Sequence, residues 1–381
     1  MIKRVICDDI IAALQKKRSK IVILYGPRQV GKTTLLNTII DKIRYRTLMI
    51  DADDTQYTSV LSSQNISLLS GLVSGYDCLY IDEAQQIPNI GINLKLLYDH
   101  FPHLKIVVSG SSSFELANTI KEPLTGRTCT FYLYPVSGVE LSESLNRFEI
   151  NSKLAELLLY GSYPEILTID NYEDKKAHLY ELSQSYLYKD VLALEDIRYS
   201  DKLAKLLQLL AFQIGSQVSL SELGAQLGMS QETVRRYIDL LEKCFVIFKL
   251  SGFSRNLRKE VSKMDKLYFY DLGIRNAIIN NFSPIQMRMD RGQLFENFLM
   301  VERLKRNAYT SYFTTTYFWR LYTGAELDYI EECNGQLYGF EFKFNQKQSR
   351  APQSWLDTYS NASFECINCD NYLDFILPPL N

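Results

Sequence analysis

The segment Gly26-Pro27-Arg28-Gln29-Val30-Gly31-Lys32-Thr33 constrains this chain more than any other, because two glycines and a lysine at this spacing suit only a tight loop. Before it, Ile21-Val22-Ile23-Leu24-Tyr25 is a short apolar run that reads as a buried strand. After it, Thr34-Leu35-Leu36-Asn37-Thr38-Ile39-Ile40 carries apolar residues at helical spacing. A loop between a strand and a helix points its backbone N–H groups at one spot, and the positive end of the helix macrodipole adds to the field there. The expected occupant is a nucleoside triphosphate, held by residues Gly26 through Thr34. Lys32 is expected at the β- and γ-phosphates, and the Thr33 hydroxyl in the shell of a Mg²⁺ ion.

Downstream, Cys78-Leu79-Tyr80-Ile81-Asp82-Glu83 is an apolar strand closing on two acids, about fifty residues after the loop. Asp82 is suited to hold Mg²⁺ through water, and Glu83 to orient and deprotonate the attacking water. A third strand, Leu104-Lys105-Ile106-Val107-Val108, runs into Ser109-Gly110-Ser111-Ser112-Ser113. A hydroxyl there can sense the γ-phosphate or the water. Ser109 is the first choice with Ser111 nearly as well placed, and the alternative role is a helix N-cap.

With GPRQVGKTTLL, LYIDEAQ, KIVVSGSSSFEL, PLTGRTCTFYLYPVSGVEL and YGSYPEIL together, the chain resembles the AAA+ ATPases over roughly residues 15 to 170. More narrowly it resembles a prokaryotic AAA family whose ATPase domain precedes a C-terminal region of unassigned function. The resemblance implies ATP and Mg²⁺ as cofactors. It also implies Arg127 as the arginine that contacts the γ-phosphate, in the same or a neighbouring subunit; a structural ion pair is the other reading, for Arg127 and for Arg28 alike. Action across subunits would require a homo-oligomer.

From Tyr172 to Gln213 the pattern is helical throughout. Then Ser219 or Ser221 can cap a short helix, Gly228 can end it, and Ser230 can cap a second helix with Val234, Ile238, Leu240 and Leu241 on its apolar face. Two strands follow, Phe245–Leu250 and Lys266–Tyr270, joined by a basic loop, so the whole reads as a winged helix. Between 235 and 266 nine Lys or Arg stand against four Asp or Glu. That excess suits DNA phosphates; a fold used only for packing, with a solvated basic loop, is the alternative.

Near the C-terminus, Asn334-Gly335 signals a two-residue hairpin turn. Cys333 would then pair with Gln336, Asp328 would face Glu341, and Glu326 would face Lys343, with Leu327, Tyr329, Phe340 and Phe342 on the other, apolar side. An Asp on one strand and Glu-x-Lys on the next resembles the core of the PD-(D/E)XK nucleases. That resemblance implies a Mg²⁺ ion held by Glu296, Asp328 and Glu341, with Lys343 positioning the water. The alternative is a solvated hairpin with ion pairs from Lys343 to Glu326 and Asp328.

Composition decides the remaining classes. A formal charge of −2 in 381 residues argues against a surface coated with nucleic acid, though not against a local basic patch. Seven scattered cysteines suit a reducing compartment, and Cys366 and Cys369 lack the second pair that a zinc site needs. No apolar stretch reaches the ~18 residues of a membrane span, so a cytoplasmic protein with no membrane partner is expected. The expected fold is α/β: an AAA+ P-loop ATPase domain (1–150), a helical lid (151–200), a winged helix (201–270) and a smaller nuclease-like domain (271–381). The expected function is ATP hydrolysis in association with DNA. The alternative is a nucleotide-dependent switch or adaptor whose C-terminal domains bind a protein.

Overall fold

A computed structural model describes residues 2–111, 123–185, 200–255, 264–345 and 349–379. The chain divides into two compact units, residues 1–134 with 243–245, and residues 135–242 with 246–381. The first compact unit thus ends its main span at Tyr134. Residues 135–150 pack within the second unit: Val136 N–H donates to Ser162 O (2.9 Å) and Gly138 N–H to Glu302 Oε2 (2.5 Å).

The first unit is a five-stranded parallel sheet, β1 Ile21–Tyr25, β2 Thr47–Asp51, β3 Cys78–Asp82, β4 Lys105–Gly110 and β5 Thr128–Tyr132, in the order β2-β3-β4-β1-β5. Every residue of β1 and β4 is buried, as strands covered on both faces must be, which is why they read in sequence as unbroken apolar runs. Of the edge strands, β2 alternates buried with more exposed residues and β5 has no fully buried residue, so neither carries such a signal. Because β4 lies between β1 and β3, the loop after β1, the residues after β4 and the acids after β3 stand side by side at one end of the sheet. Ligands of open parallel sheets bind at that end.

The second unit begins with helices, among them Leu154–Tyr160, Tyr172–Ser185 and Ser200–Phe212. The helical reading across 186–199 lies outside the described residues. Helices Leu220–Leu227 and Gln231–Lys243 follow, joined through Gly228 at φ 59°; Ser219 caps the first and Ser230 bonds to the N–H of Thr233. Val234, Ile238, Leu240 and Leu241 are buried, and Arg235 and Arg236 are exposed. An antiparallel pair, β6 Ile247–Leu250 and β7 Lys266–Phe269, comes next.

The chain then forms a four-stranded sheet in the order β11-β10-β9-β8, from β8 Thr315–Arg320, β9 Glu326–Cys333, β10 Gln336–Lys343 and β11 Ala362–Asn368. Helix Arg291–Tyr309 is tied to it through Arg303, whose guanidinium makes two hydrogen bonds to the buried Glu331 carboxylate (2.8 and 2.5 Å). Asn334 and Gly335 both have positive φ, and Gln336 pairs with Cys333 as the turn requires. That register runs only as far as Phe340 with Tyr329.

There β9 carries a bulge. Tyr317 of β8 pairs with Ile330, but Trp319 pairs with Leu327, so β9 spends three residues where β8 spends two. Leu327 consequently joins Ile330, Leu337, Trp319 and Trp355 in one cluster, not Tyr329 and Phe340 as strict alternation would have it. At the break, the Asp328 carboxylate takes the Phe342 N–H (2.8 Å), where the ladder offers no carbonyl.

Candidate functional site

The phosphate loop of the first unit is shaped by its two glycines for different reasons. A Cβ on Gly26 would lie 2.2 Å from Leu133 O, so only glycine fits beside β5. Gly31 has φ 93°, the left-handed turn that admits the chain to helix Lys32–Ile43. Arg4 braces the loop from outside by donating to Val30 O (2.8 Å) and Tyr134 O (2.5 Å). Nothing local in the sequence marks Arg4, since its partners are remote. Lys32 is buried, with Nζ folded back onto the carbonyls of Gly26 (2.8 Å) and Pro27 (2.9 Å).

A chain of hydrogen bonds joins this loop to the acids. Thr33 Oγ1 donates to Asp82 Oδ2 at 2.8 Å, and Asp82 Oδ1 accepts from the Ser109 hydroxyl and from the Glu83 N–H (3.1 Å). Glu83 itself has φ 48°, an uncommon backbone for a residue with a side chain, and the kind of local strain that collects at functional sites. Its Oε2 accepts from Ser111 N–H (3.2 Å), Ser111 Oγ (2.9 Å) and Gln85 Nε2 (2.5 Å). The two serines weighed in the sequence therefore divide the work: Ser109 holds Asp82, and Ser111 holds Glu83. Ser112 and Ser113 lie outside the described residues.

Thr33, Thr34 and Gln29 are exposed at the loop, Arg28 half-buried, and Pro27 and Val30 buried beneath it. The Thr33–Asp82 oxygen pair suits a hard cation such as Mg²⁺. Arg127 stands elsewhere. Its neighbour Thr128 pairs with Ile21, at the end of β1 opposite the phosphate loop, and its guanidinium bonds both carboxylate oxygens of Asp99 (3.1 and 3.3 Å). Five strand residues span roughly 13–17 Å, so Arg127 does not reach the phosphates of its own chain.

In the second unit, Glu296 and Asp328 meet at Lys266, while Glu341 pairs with Lys343. Lys266 is only 6% exposed, and its Nζ stands 3.5 Å from Glu296 Oε1, 3.8 Å from Asp328 Oδ1 and 5.5 Å from the centre of the Phe318 ring. Tyr268 donates to Glu296 Oε1 (2.7 Å). Lys343 pairs with Glu341 (2.5 Å), and Glu326 turns to Arg320 (3.7 Å) rather than to Lys343. Burial lifts Glu296, Asp328 and Glu341 above the usual carboxylate range. Burial works against the charge on Lys266, but Glu296, Asp328 and Glu326 outweigh it and raise its pKa. Asp328 is 7% exposed, so at this residue the hairpin's charged side is not a solvated face.

Lys266 also counted among the basic residues expected to meet DNA. So did Lys249, which pairs with Asp239 and Glu242, and Arg255, which pairs with Glu332. The loop positions 256–263 lie outside the described residues. The sequence did hold a clue to Lys266, one charge opening the otherwise apolar run Leu267-Tyr268-Phe269. None of the seven cysteines is in a disulfide, and among the described residues no helix is long and apolar enough to cross a membrane.

Comparison with known proteins agrees with the first unit and puts no activity on the second. The AAA domain profile matches residues 18–142, and two domains of unknown function, DUF8612 and DUF4143, match residues 151–284 and 291–367. The uncharacterized protein Rv2008c of Mycobacterium tuberculosis is 30% identical over 331 residues, covering 86% of this chain and 70% of its own length. The uncharacterized protein MJ1637 of Methanocaldococcus jannaschii is 26% identical over 325 residues, 74% of this chain and 67% of the relative. Among solved structures, the Walker-type ATPase PABY2304 of Pyrococcus abyssi aligns over 73% of this chain and 96% of its own, with 15% identity and a TM-score of 0.49, a likeness from which nothing further follows. The chain belongs to the family of the mycobacterial protein, and its N-terminal domain is a P-loop AAA ATPase domain.

Proposed function

We propose that the protein binds ATP with Mg²⁺ and hydrolyses it at the first unit, and that its second unit contacts DNA through helix Gln231–Lys243. The observation that carries the ATPase reading is the continuous chain from Thr33 through Asp82 to Ser109 and from Glu83 to Ser111, at the end of the sheet where the phosphate loop opens. Thr33 and Asp82 would hold a Mg²⁺ ion bound with ATP, and that ion would supply charge neutralisation at the phosphates. Lys32 exchanges the carbonyls of Gly26 and Pro27 for phosphate oxygens. Glu83 takes the proton of the attacking water. Among the described residues its three side-chain bonds go to Oε2, and Oε1 is the oxygen we assign to that water.

Two substitutions separate binding from turnover. Lys32→Ala removes a positive charge from the phosphates, so ATP affinity itself should fall. Glu83→Gln keeps shape and loses the base, so ATP should still bind while turnover drops by about 10² or more. A Glu83→Gln protein with wild-type turnover would remove Glu83 from this role.

DNA contact rests on the exposed pair Arg235 and Arg236 at the second helix of a helix-turn-helix pattern. Binding of duplex DNA by the full chain should weaken with salt, and Arg235→Ala with Arg236→Ala should lower the log–log salt slope by about 2. One observation favours the second reading, a nucleotide-dependent adaptor for a protein partner: Lys249, Arg255 and Lys266 spend their charges inside the second unit. No DNA binding even at low salt would favour that adaptor.

A further inference from the structure

The PD-(D/E)XK resemblance implies a divalent cation among Glu296, Asp328 and Glu341, and the donor set in the second unit does not fit one. A hard cation draws oxygens to about 2.0–2.6 Å around a common point. Here the space next to Glu296 and Asp328 is taken by an ammonium, with Lys266 Nζ 3.5 and 3.8 Å from their oxygens. One oxygen of each acid already has a partner other than Lys266. Glu296 Oε1 accepts from Tyr268, Asp328 Oδ2 from the Phe342 N–H, and Glu341 Oε1 pairs with Lys343. Among the described residues no three His, Cys, Asp or Glu side chains form a group able to hold a metal.

We propose that Lys266 is the resident cation of this pocket, a covalently fixed ammonium in place of a divalent ion, which makes the second unit a metal-independent module rather than a nuclease. Two features of the fold put it there. β7 pairs with β6 so that Lys266 sits opposite Leu250, and the Phe318 ring lies beneath its ammonium. The bulge in β9 frees the Asp328 carboxylate from strict alternation and brings it to the same group. Lys266 and Lys343, set among these acids, offset part of the negative charge that would attract a divalent ion from water. Without such an ion, Glu296, Asp328 and Glu341 lose the metal-holding role that the nuclease resemblance implies for them. The inference does not depend on the ATPase reading, whose Mg²⁺ ligands lie in the other unit.

The test uses the full chain without nucleotide, titrated with Mn²⁺ and followed by electron paramagnetic resonance and by melting temperature. Wild-type protein should bind no Mn²⁺ that Asp328→Asn removes, and neither millimolar Mn²⁺ nor EDTA should shift its melting. Lys266→Met leaves Glu296 and Asp328 without their counter-ion, so it should melt lower and gain one Mn²⁺ site that raises its melting temperature again. Adding Asp328→Asn should abolish the gained site. Should Lys266→Met fail to fold, the wild-type titration against Asp328→Asn still decides. Mn²⁺ binding by the wild type that Asp328→Asn removes would overturn the proposal, as would a folded Lys266→Met protein that takes up no Mn²⁺.

Discussion

Gly26 shows how one residue can fix a site from beneath. Its Cα faces Leu133 O, and Leu133 is itself held by its N–H on Tyr25 O (2.7 Å), so neither side can yield to an added methyl. Gly26→Ala should therefore cost roughly 1–3 kcal/mol in a urea melt and abolish retention of ATP. Ser111→Ala is the opposite case. It removes one hydroxyl bond to Glu83 and leaves the Ser111 N–H in place, so ATP affinity should hold while turnover falls about tenfold, measured by phosphate release. The phosphate loop, Asp82 and Glu83 were legible in the sequence because their chemistry depends on spacing along the chain. Arg4 and Lys266 act on partners far away in sequence, and their surroundings exist only once the strands have paired.

At the scale of elements, legibility followed burial on both faces. β1, β3 and β4 announced themselves as apolar runs, whereas β2 and β5, at the edges, mixed polar and apolar residues and passed unread. The hairpin of β9 and β10 was legible down to Tyr329 with Phe340 and no further, since the bulge beyond it is fixed by β8, whose pairing no local pattern announces. Helix Leu272–Ile278 yields a prediction about pH. Asp271 caps it, accepting from Ile274 N–H (3.1 Å) and Ser162 N–H (2.8 Å), yet burial wins over these bonds and pushes its pKa up to about 6. A carboxyl raised on folding favours the protonated state, so its contribution is greatest below the unfolded value and is lost as pH climbs through about 6. Asp271→Asn should flatten the fall in unfolding free energy between about pH 4 and 7, by an amount on the order of 3 kcal/mol. Equal slopes in variant and wild type would sink that assignment.

For the whole molecule, the position of Arg127 bears on assembly. Standing at the far end of β1 from the phosphate loop, it can serve ATP only on another copy. If it does, Arg127→Ala will bind ATP normally with reduced turnover, and mixing it with Lys32→Ala will restore part of the rate. An unchanged rate for Arg127→Ala alone would leave the ion pair with Asp99 as its role. The strand order has a further consequence, for a chain still being synthesised. β1 is made first, yet the strands on either side of it, β4 and β5, are the last two made, and Gly26 needs Leu133 beside it. A nascent chain that has emerged only as far as about residue 100 therefore carries a bare apolar strand with both edges open. Nucleotide can offer that chain no stabilisation, because the loop that would hold it has no wall, so during translation the burden of keeping β1 from aggregating falls on whatever shields the ribosome's exit.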